Sequence, residues 1–449
     1  MKPFPGVGFI VSMILFFGAP ASAAEFFVAP AGRDSNAGTL KKPFATVQRA
    51  QLAAAPGDTV SILGGTYAMR ESQIARKEGI FAYVTDLDKS GTPQHPITYE
   101  AYADEQPVFD FSAVKPAGLR VDAFHVSGSW IHIKGLEVVG VQVTIKEHTQ
   151  SICFANDGSH NVYEQLNMHD GQAIGIYSLK GADNLFLNCD AFRNWDYTSE
   201  DGKGGNVDGF GCHPPKGATG NIFRGCRAWF NSDDGFDCIN AHESVTFDNC
   251  WALYNGFSTQ FKRLGDGNGF KAGGYGSTPA DKLPDPIPRH TIRFCLAAGN
   301  KDNGFYANHH IGGCDWFNNS AYRNGTDYNM LGRLADNRTD VDGYGHKLRN
   351  NLGYKGRLEI SKLGPSKSDS AKNSFDLGLK LSDADFLSLD ESGLFGPRKA
   401  SGDLPDVAFL HPGPDSALIG KGANIGFPFR GAAPDLGAFS ETLDGDAKK

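Results

Sequence analysis

The chain is expected to fold as an all-β solenoid, a right-handed parallel β-helix with an N-terminal capping helix, and three repeated patterns lead to that expectation. The pattern x-Gly-Phe-x returns at Asp208-Gly209-Phe210-Gly211, Asp234-Gly235-Phe236-Asp237 and Asn268-Gly269-Phe270-Lys271, with a fainter copy at Asn303-Gly304-Phe305-Tyr306. A second pattern, Cys-x-Ala-x-x-Asn, carries Cys189, Cys226, Cys250 and Cys295 in its first slot. Its last slot makes a register of its own: Asn194, Asn231, Asn255, Asn300 and Asn324 are spaced by 37, 24, 45 and 24 residues. That spacing implies a coil of about two dozen residues interrupted by two large insertions. Residues in one slot then stack in columns about 4.8 Å apart.

In chain order, residues 1–23 carry one early lysine, an apolar run from Val7 to Phe17, and Ala21-Ser22-Ala23 before Ala24. This reads as a Sec-type signal peptide, and residues 24–449 as a single exported unit, secreted or periplasmic. No cysteine at the junction suggests a lipid anchor, and no later run suggests a membrane span. The formal net charge of -8 argues against a nucleic-acid partner. An acidic polymer would have to be held by local cations, against the overall field. A monomer is expected.

Glu25 to Pro30 reads as a strand, and Pro43 to about Ala54 as the entry and body of a helix, apolar through Phe44, Val47, Ala50 and Leu52. Such a helix would plug the open end of a solenoid core. Residues 57–67 make the first coil. This opening resembles the N-terminal cap of right-handed parallel β-helix proteins that act on polysaccharides. Coils are expected over roughly 57–356, as short β-branched or aromatic strands between Asn, Gly and Asp turns. The two insertions, Trp195 to Gly205 and Phe257 to Pro288, flank the x-Gly-Phe-x copies, and added loop length on a solenoid collects on its working face. Past Tyr354 the periodicity fades into a tail, roughly 357–449, with a short capped helix expected from Ser382 to Leu389.

Alternation within the repeat turns Phe210 and Cys212, Phe236 and Cys238, Phe270 and Ala272, and Phe305 and Ala307 inward. Gly211, Asp237, Lys271 and Tyr306 then point outward from one sheet. Eight cysteines in an exported chain invite disulfides, but their shared slot reads as a buried thiol stack. Cys212 and Cys238 make either a second short stack or one disulfide.

The outward slot puts Asp237 beside Lys271 on the next coil, and the turn just before the strand adds Asp208, Asp233 and Asp234, so four aspartates converge from two adjacent coils. Any one of these aspartates is as readily a turn residue. Together they form a hard oxygen site suited to Ca²⁺, and no His/Cys set is spaced for zinc. Without a cation so many acids would repel one another. His309, His310, Lys301, Arg263, Arg289 and Lys216 are weaker candidates for contacts to an anionic substrate, and Trp195 and Tyr306 for stacking on sugar rings; each also reads as a packing or surface residue. His213 reads equally as a turn residue.

On Asn206-Val207-Asp208-Gly209-Phe210, Ser232-Asp233-Asp234-Gly235-Phe236-Asp237 and Gly267-Asn268-Gly269-Phe270-Lys271, the chain resembles polysaccharide lyase family 9, the calcium-dependent pectate lyases and their relatives. The resemblance implies calcium ligands at Asp208, Asp233, Asp234 and Asp237 and a Brønsted base at Lys271. The implied substrate is an acidic plant-type polysaccharide (polygalacturonate, pectin or rhamnogalacturonan), cleaved by β-elimination. Two other readings stand beside it. A β-helix glycoside hydrolase of the polygalacturonase type would share Asn-x-Asp and Asp-Asp, but its Gly-His-Gly and Arg-x-Lys are missing from the sequence. A non-catalytic glycan-binding β-helix would need neither base nor metal.

Overall fold

The structure is a computed structural model that describes Met1 and residues 23–439; apart from Met1 and Ala23, the expected signal peptide lies outside the described residues. Three long sheets of 12, 10 and 11 strands run the length of the molecule, parallel throughout except for the antiparallel edge strand Arg76–Glu78 of the third, so each turn of the chain contributes one strand to each face. One coil is Asn221–Arg224, Arg227–Trp229 and Phe236–Asp237; the next is Val245–Asp248, Trp251–Leu253 and Phe270–Lys271. These are parallel β-helix coils.

The register of the third sheet is the one the repeat demands. Phe210 pairs with Phe236, Phe236 with Phe270 and Phe270 with Phe305, while the outward neighbours run Gly211, Asp237, Lys271, Tyr306. The four phenylalanines are fully buried, with successive ring centroids 5.0, 4.7 and 5.1 Å apart and nearly parallel. Packing also explains why glycine precedes each phenylalanine. A Cβ on Gly209 would lie 2.6 Å from the Ala228 Cβ, and one on Gly235 would lie 2.7 Å from the Gly269 carbonyl oxygen. The glycine of one repeat and the alanine of the other thus meet across the core, and neither tolerates a larger side chain.

The corner between the second and third sheets is built from two residues. Arg193, Phe230, Tyr254, Gly299 and Arg323 take left-handed backbone, at φ of 55°, 53°, 54°, 66° and 54°. The asparagine that follows each one joins a continuous amide ladder: Asn194, Asn231, Asn255 and Asn300 donate in turn to the next Oδ1 at 3.0 to 3.2 Å, and Asn324 donates to Asp327. Left-handed backbone costs a non-glycine residue about 1 kcal/mol or more, and the buried ladder offsets it. The cysteine slot is a second ladder that changes chemistry midway. Asn319, Asn351 and Asn373 continue it, and Asn319 Oδ1 accepts from the Cys295 N–H at 3.0 Å. All eight cysteines are buried free thiols, so Cys212 and Cys238 form no disulfide. Burial pushes the Cys212 thiol up to about 12.

The N-terminal helix is Val47–Ala53, with Thr46 as its N-cap. Phe44, Val47 and Ala50 enter the core, whereas Leu52 is 60% exposed. Five residues at 100° each carry Leu52 about 140° away from Val47, off the buried stripe. At the other end, two further parallel strands, Leu358–Ser361 and Asp369–Ala371, follow the point where the sequence periodicity fades. The helix expected at 382–389 is only a single 3-10 turn, Asp383–Asp385, capped by Ser382. Beyond it the chain is irregular, with one more 3-10 turn at Ser392–Phe395, and Phe386, Leu394, Phe409, Leu410 and Leu418 pack onto the outer face of the second sheet, against Trp251, Leu253, Leu296 and Leu352. Arg398 anchors this tail by pairing with the buried Asp190 at 2.5 Å.

Candidate active site

The third sheet carries the expected cluster on its outer face. Asp208, Asp234 and Asp237 each offer a carboxylate oxygen within 4.8 Å of the other two, and Asp233, Asp234 and Asp266 do the same. The expected four aspartates are therefore brought together, not as one ring but as two triads sharing Asp234. Lys271 Nζ lies 3.1 Å from Asp234 Oδ2 and 3.2 Å from Asp237 Oδ2.

Each carboxylate is held by one oxygen and left open at another. Asp208 Oδ1 accepts from the Asp234 N–H, Asp233 Oδ1 from the Asp266 N–H, and Asp237 Oδ1 from the Ile239 N–H, at 3.0, 2.6 and 2.7 Å. Asp234 Oδ1 takes both the backbone N–H and the side-chain amide of Asn268, at 2.7 and 2.8 Å. Asn268 is itself fixed by Asn303, and Asn303 by Asn329, so an amide chain runs down the face and ends at the cluster. Asp234 Oδ2 is then buried with no hydrogen-bond donor; Lys271 is near it as a charge but is not aligned to donate. A buried, unsatisfied carboxylate oxygen among other acids is costly unless a cation meets it. An oxygen-only donor set of this kind fits a hard divalent ion.

Electrostatics agree. Burial, with repulsion from neighbouring carboxylates, holds Asp208 and Asp233 well above the usual carboxylate range and also raises Asp234. Desolvation acts to lower the Lys271 ammonium, but Asp234, Asp237, Asp233 and Asp208 together hold it well above its ordinary value. With the acids uncompensated, Lys271 is a cation.

A match to the family described as Pel9A-like, right handed beta helix region, covers residues 26–351. The chain belongs to that family. It is 33% identical over 424 residues to pectate lyase L of Dickeya chrysanthemi, covering 92% of this chain and 90% of that one. Among solved structures it is similar to a rhamnogalacturonan lyase, at a TM-score of 0.84 and 45% identity over 88% of this chain and 97% of that one. It is also similar to pectate lyase Pel9A, at a TM-score of 0.75 and 32% identity over 93% and 96%.

Within this Pel9A-like coil stack, several weaker candidates turn out to be structural. His310 is buried and pushed down to about 4 by desolvation, and its ring meets the Pro288 carbonyl and the Gly274 N–H. Arg289 is tied to Asp315, and Lys301 to the Leu264 and Gly265 carbonyls, where it braces the loop that carries Asp266. Trp195 packs within its own insertion, with Lys262 Nζ 4.6 Å from its ring. Arg263 and Lys216 remain at the surface, paired loosely with Asp302 and the Asp285 carbonyl. Tyr306 does stand beside Lys271 in the outward column.

Sequence reasoning gave no site role to Asp266, Asn268 or Tyr177, although Asn268 stands in the repeat slot of Asp208 and Asp234 and Tyr177 in a preceding copy, Gly175-Ile176-Tyr177. Asp266 sits in the second insertion and has no repeat slot to mark it. Tyr177 occupies the outward column one coil before Gly211. Its ring would lie 2.3 Å from any Cβ on Gly211, and His213 Nε2 would lie 3.0 Å from it. This is why a glycine stands in the slot that holds Asp237 and Lys271 on later coils.

Proposed function

We propose that this protein is a polysaccharide lyase that cleaves galacturonate-containing pectic polymers by calcium-assisted β-elimination, with Lys271 as the base. The observation that carries the reading is Lys271 Nζ, within 3.2 Å of two buried carboxylates of an oxygen-only cluster on the outer face of the coils. Relatives named for pectate and rhamnogalacturonan lyases support a uronate polymer as the substrate. The leader-like start of the sequence supports export, and among the described residues no helix is long and apolar enough to cross a membrane.

Asp208, Asp233, Asp234 and Asp237 would hold Ca²⁺, with Asp266 close by. When bound, the ion supplies positive charge that offsets the substrate carboxylate and the enolate-like charge developing beside it. Asn268 keeps Asp234 Oδ2 turned toward the open side of the cluster. Lys271 can accept a proton only in the state where the charge of the four aspartates is compensated, because those carboxylates otherwise hold it as an ammonium. In that state Nζ removes the C5 proton, the C5–H electron pair forms the C4–C5 double bond, and O4 leaves with its bonding pair and takes up a proton. The new end is 4,5-unsaturated.

The test is a panel of polygalacturonate, methylated pectin and rhamnogalacturonan backbone, followed by the ultraviolet absorbance of unsaturated uronates with calcium and after exhaustive chelation. Calcium-dependent absorbance on at least one polymer is expected, and the 45% identity to a rhamnogalacturonan lyase makes that backbone a leading substrate beside pectate. Reducing ends that appear without the absorbance would mean hydrolysis and overturn the reading.

A further inference from the structure

An antiparallel hairpin, Leu331–Arg333 with Asp340–Asp342, interrupts the coil that follows Tyr306, and the sequence gives no warning of it. It does not project freely. Asn337 donates to the Thr278 and Gly276 carbonyls at 2.8 and 3.4 Å, and Arg333 Nη1 donates to the Gly276 carbonyl at 3.0 Å. The hairpin tip is thereby latched to the segment that leaves the Lys271 strand. Between the two lies a groove of about 560 Å³, whose lining includes Ile239, Ser277, His309, Asn337 and Arg338. Ile239 is two residues beyond Asp237 and donates its N–H to that carboxylate. The groove therefore opens beside the acidic cluster, not at a distant face.

Among the described residues, two groups on this groove are left without a hydrogen-bonded or ion-paired side-chain partner, although Asp336 stands near enough to Arg338 to feel its charge. Asn337 is 3% exposed, and with its amide nitrogen committed to the latch its Oδ1 has no hydrogen-bond donor. Arg338 is exposed, and its guanidinium makes no ion pair or hydrogen bond with any described residue. Arg333 is already paired, its Nε 2.7 Å from Asp340 Oδ1, and that oxygen also meets His309 Nδ1 at 2.8 Å. An acceptor that needs an O–H and a planar cation that needs a carboxylate, on one wall, match the two polar faces of a uronic acid. The protein's charge of -8 makes such a local cation necessary for a polyanion to settle there.

Resting on the lyase reading above, we propose that this groove is a uronate-selective subsite, in which Arg338 pairs with the carboxylate of a sugar flanking the cleaved linkage and Asn337 Oδ1 accepts one of its hydroxyls. Trigalacturonate binding, measured by calorimetry, should weaken about tenfold in Arg338→Gln and be largely restored in Arg338→Lys. The fully methyl-esterified trisaccharide, which lacks the charge, should bind wild type and Arg338→Gln alike. In steady state the Arg338→Gln loss should fall on KM. Equal trigalacturonate affinity in wild type and Arg338→Gln overturns the subsite, and so does an equal loss for the esterified sugar. If no polymer yields an unsaturated product the lyase reading fails instead, and the calorimetric comparison still decides the subsite.

Discussion

Lys271 and its aspartates show how much chemistry one slot of a repeat can carry. The same outward position holds glycine, aspartate, lysine and tyrosine on successive coils, so the backbone supplies identical placement and the side chain alone decides the role. If Lys271 is the base, Lys271→Ala should lower turnover on the order of a hundredfold or more while calcium affinity, read by calorimetry, stays near wild type. Lys271→Arg should fail equally, since a guanidinium keeps its proton at any workable pH; near-normal elimination by that variant would show that the residue serves only to attract the polymer. A second residue-scale expectation concerns stability. Burial pushes Asp122 up to about 7 from its ordinary 3.8, against the opposing pull of His125 and Arg120 and with help from Asp157. Because the folded value is raised, the stability Asp122 contributes is fully present below 3.8 and is lost as pH rises through about 7. Asp327, also pushed to about 7, acts in the same direction. Thermal melts from pH 4 to 8 should therefore decline less steeply for Asp122→Asn than for wild type, and parallel curves would refute the assignment.

At the scale of elements, the ladders set which substitutions the fold tolerates. Asn255 donates to Asn300 and to the Ala228 carbonyl, and accepts from the backbone N–H and the side chain of Asn231. Asn255→Ala leaves several of these buried groups unpaired, at about 1–3 kcal/mol each. A loss of roughly 3 kcal/mol or more in guanidinium-induced unfolding is expected, far beyond that of an exposed substitution such as Lys282→Ala. A midpoint unchanged by Asn255→Ala would mean that water replaces the ladder. The asparagine ladder, the phenylalanine column and the thiol stack were legible because each repeats the same residue at coil spacing. In the amide chain from Asn329 to Asp234, Asn303, Asn268 and Asp234 share the slot before the repeat glycine and were equally legible, whereas Asn329 enters from the neighbouring Tyr306 column and breaks the pattern.

At the scale of the whole molecule, the later coils of the second sheet, from Trp251 to Leu352, carry apolar residues on the outer face as well, and the tail covers them. Leu394, Phe409, Leu410, Leu418 and Leu436 are buried against Trp251, Leu253, Leu296 and Leu352. Truncation after residue 377 should leave that strip exposed, and a contiguous apolar face of this kind drives association. The truncated chain should elute as aggregates and bind hydrophobic dyes, whereas a monomeric, dye-silent product would show that the tail is dispensable. The acidic cluster and the hairpin that follows its sheet lie away from this covered face.

By itself the sequence determined the coil stack, the inward and outward registers, and the meeting of Asp208, Asp233, Asp234, Asp237 and Lys271. It could do so because a solenoid converts sequence period directly into spatial adjacency, so identical slots are neighbours before any tertiary contact is known. The tertiary structure alone decided everything that leaves the period. Asp266 approaches Asp233 from an insertion, Asn337 latches a hairpin two coils away, and the tail chooses the second sheet through scattered apolar residues. None of these contacts lies at a fixed sequence offset, because each is set by loop path and side-chain packing, which a repeat does not encode.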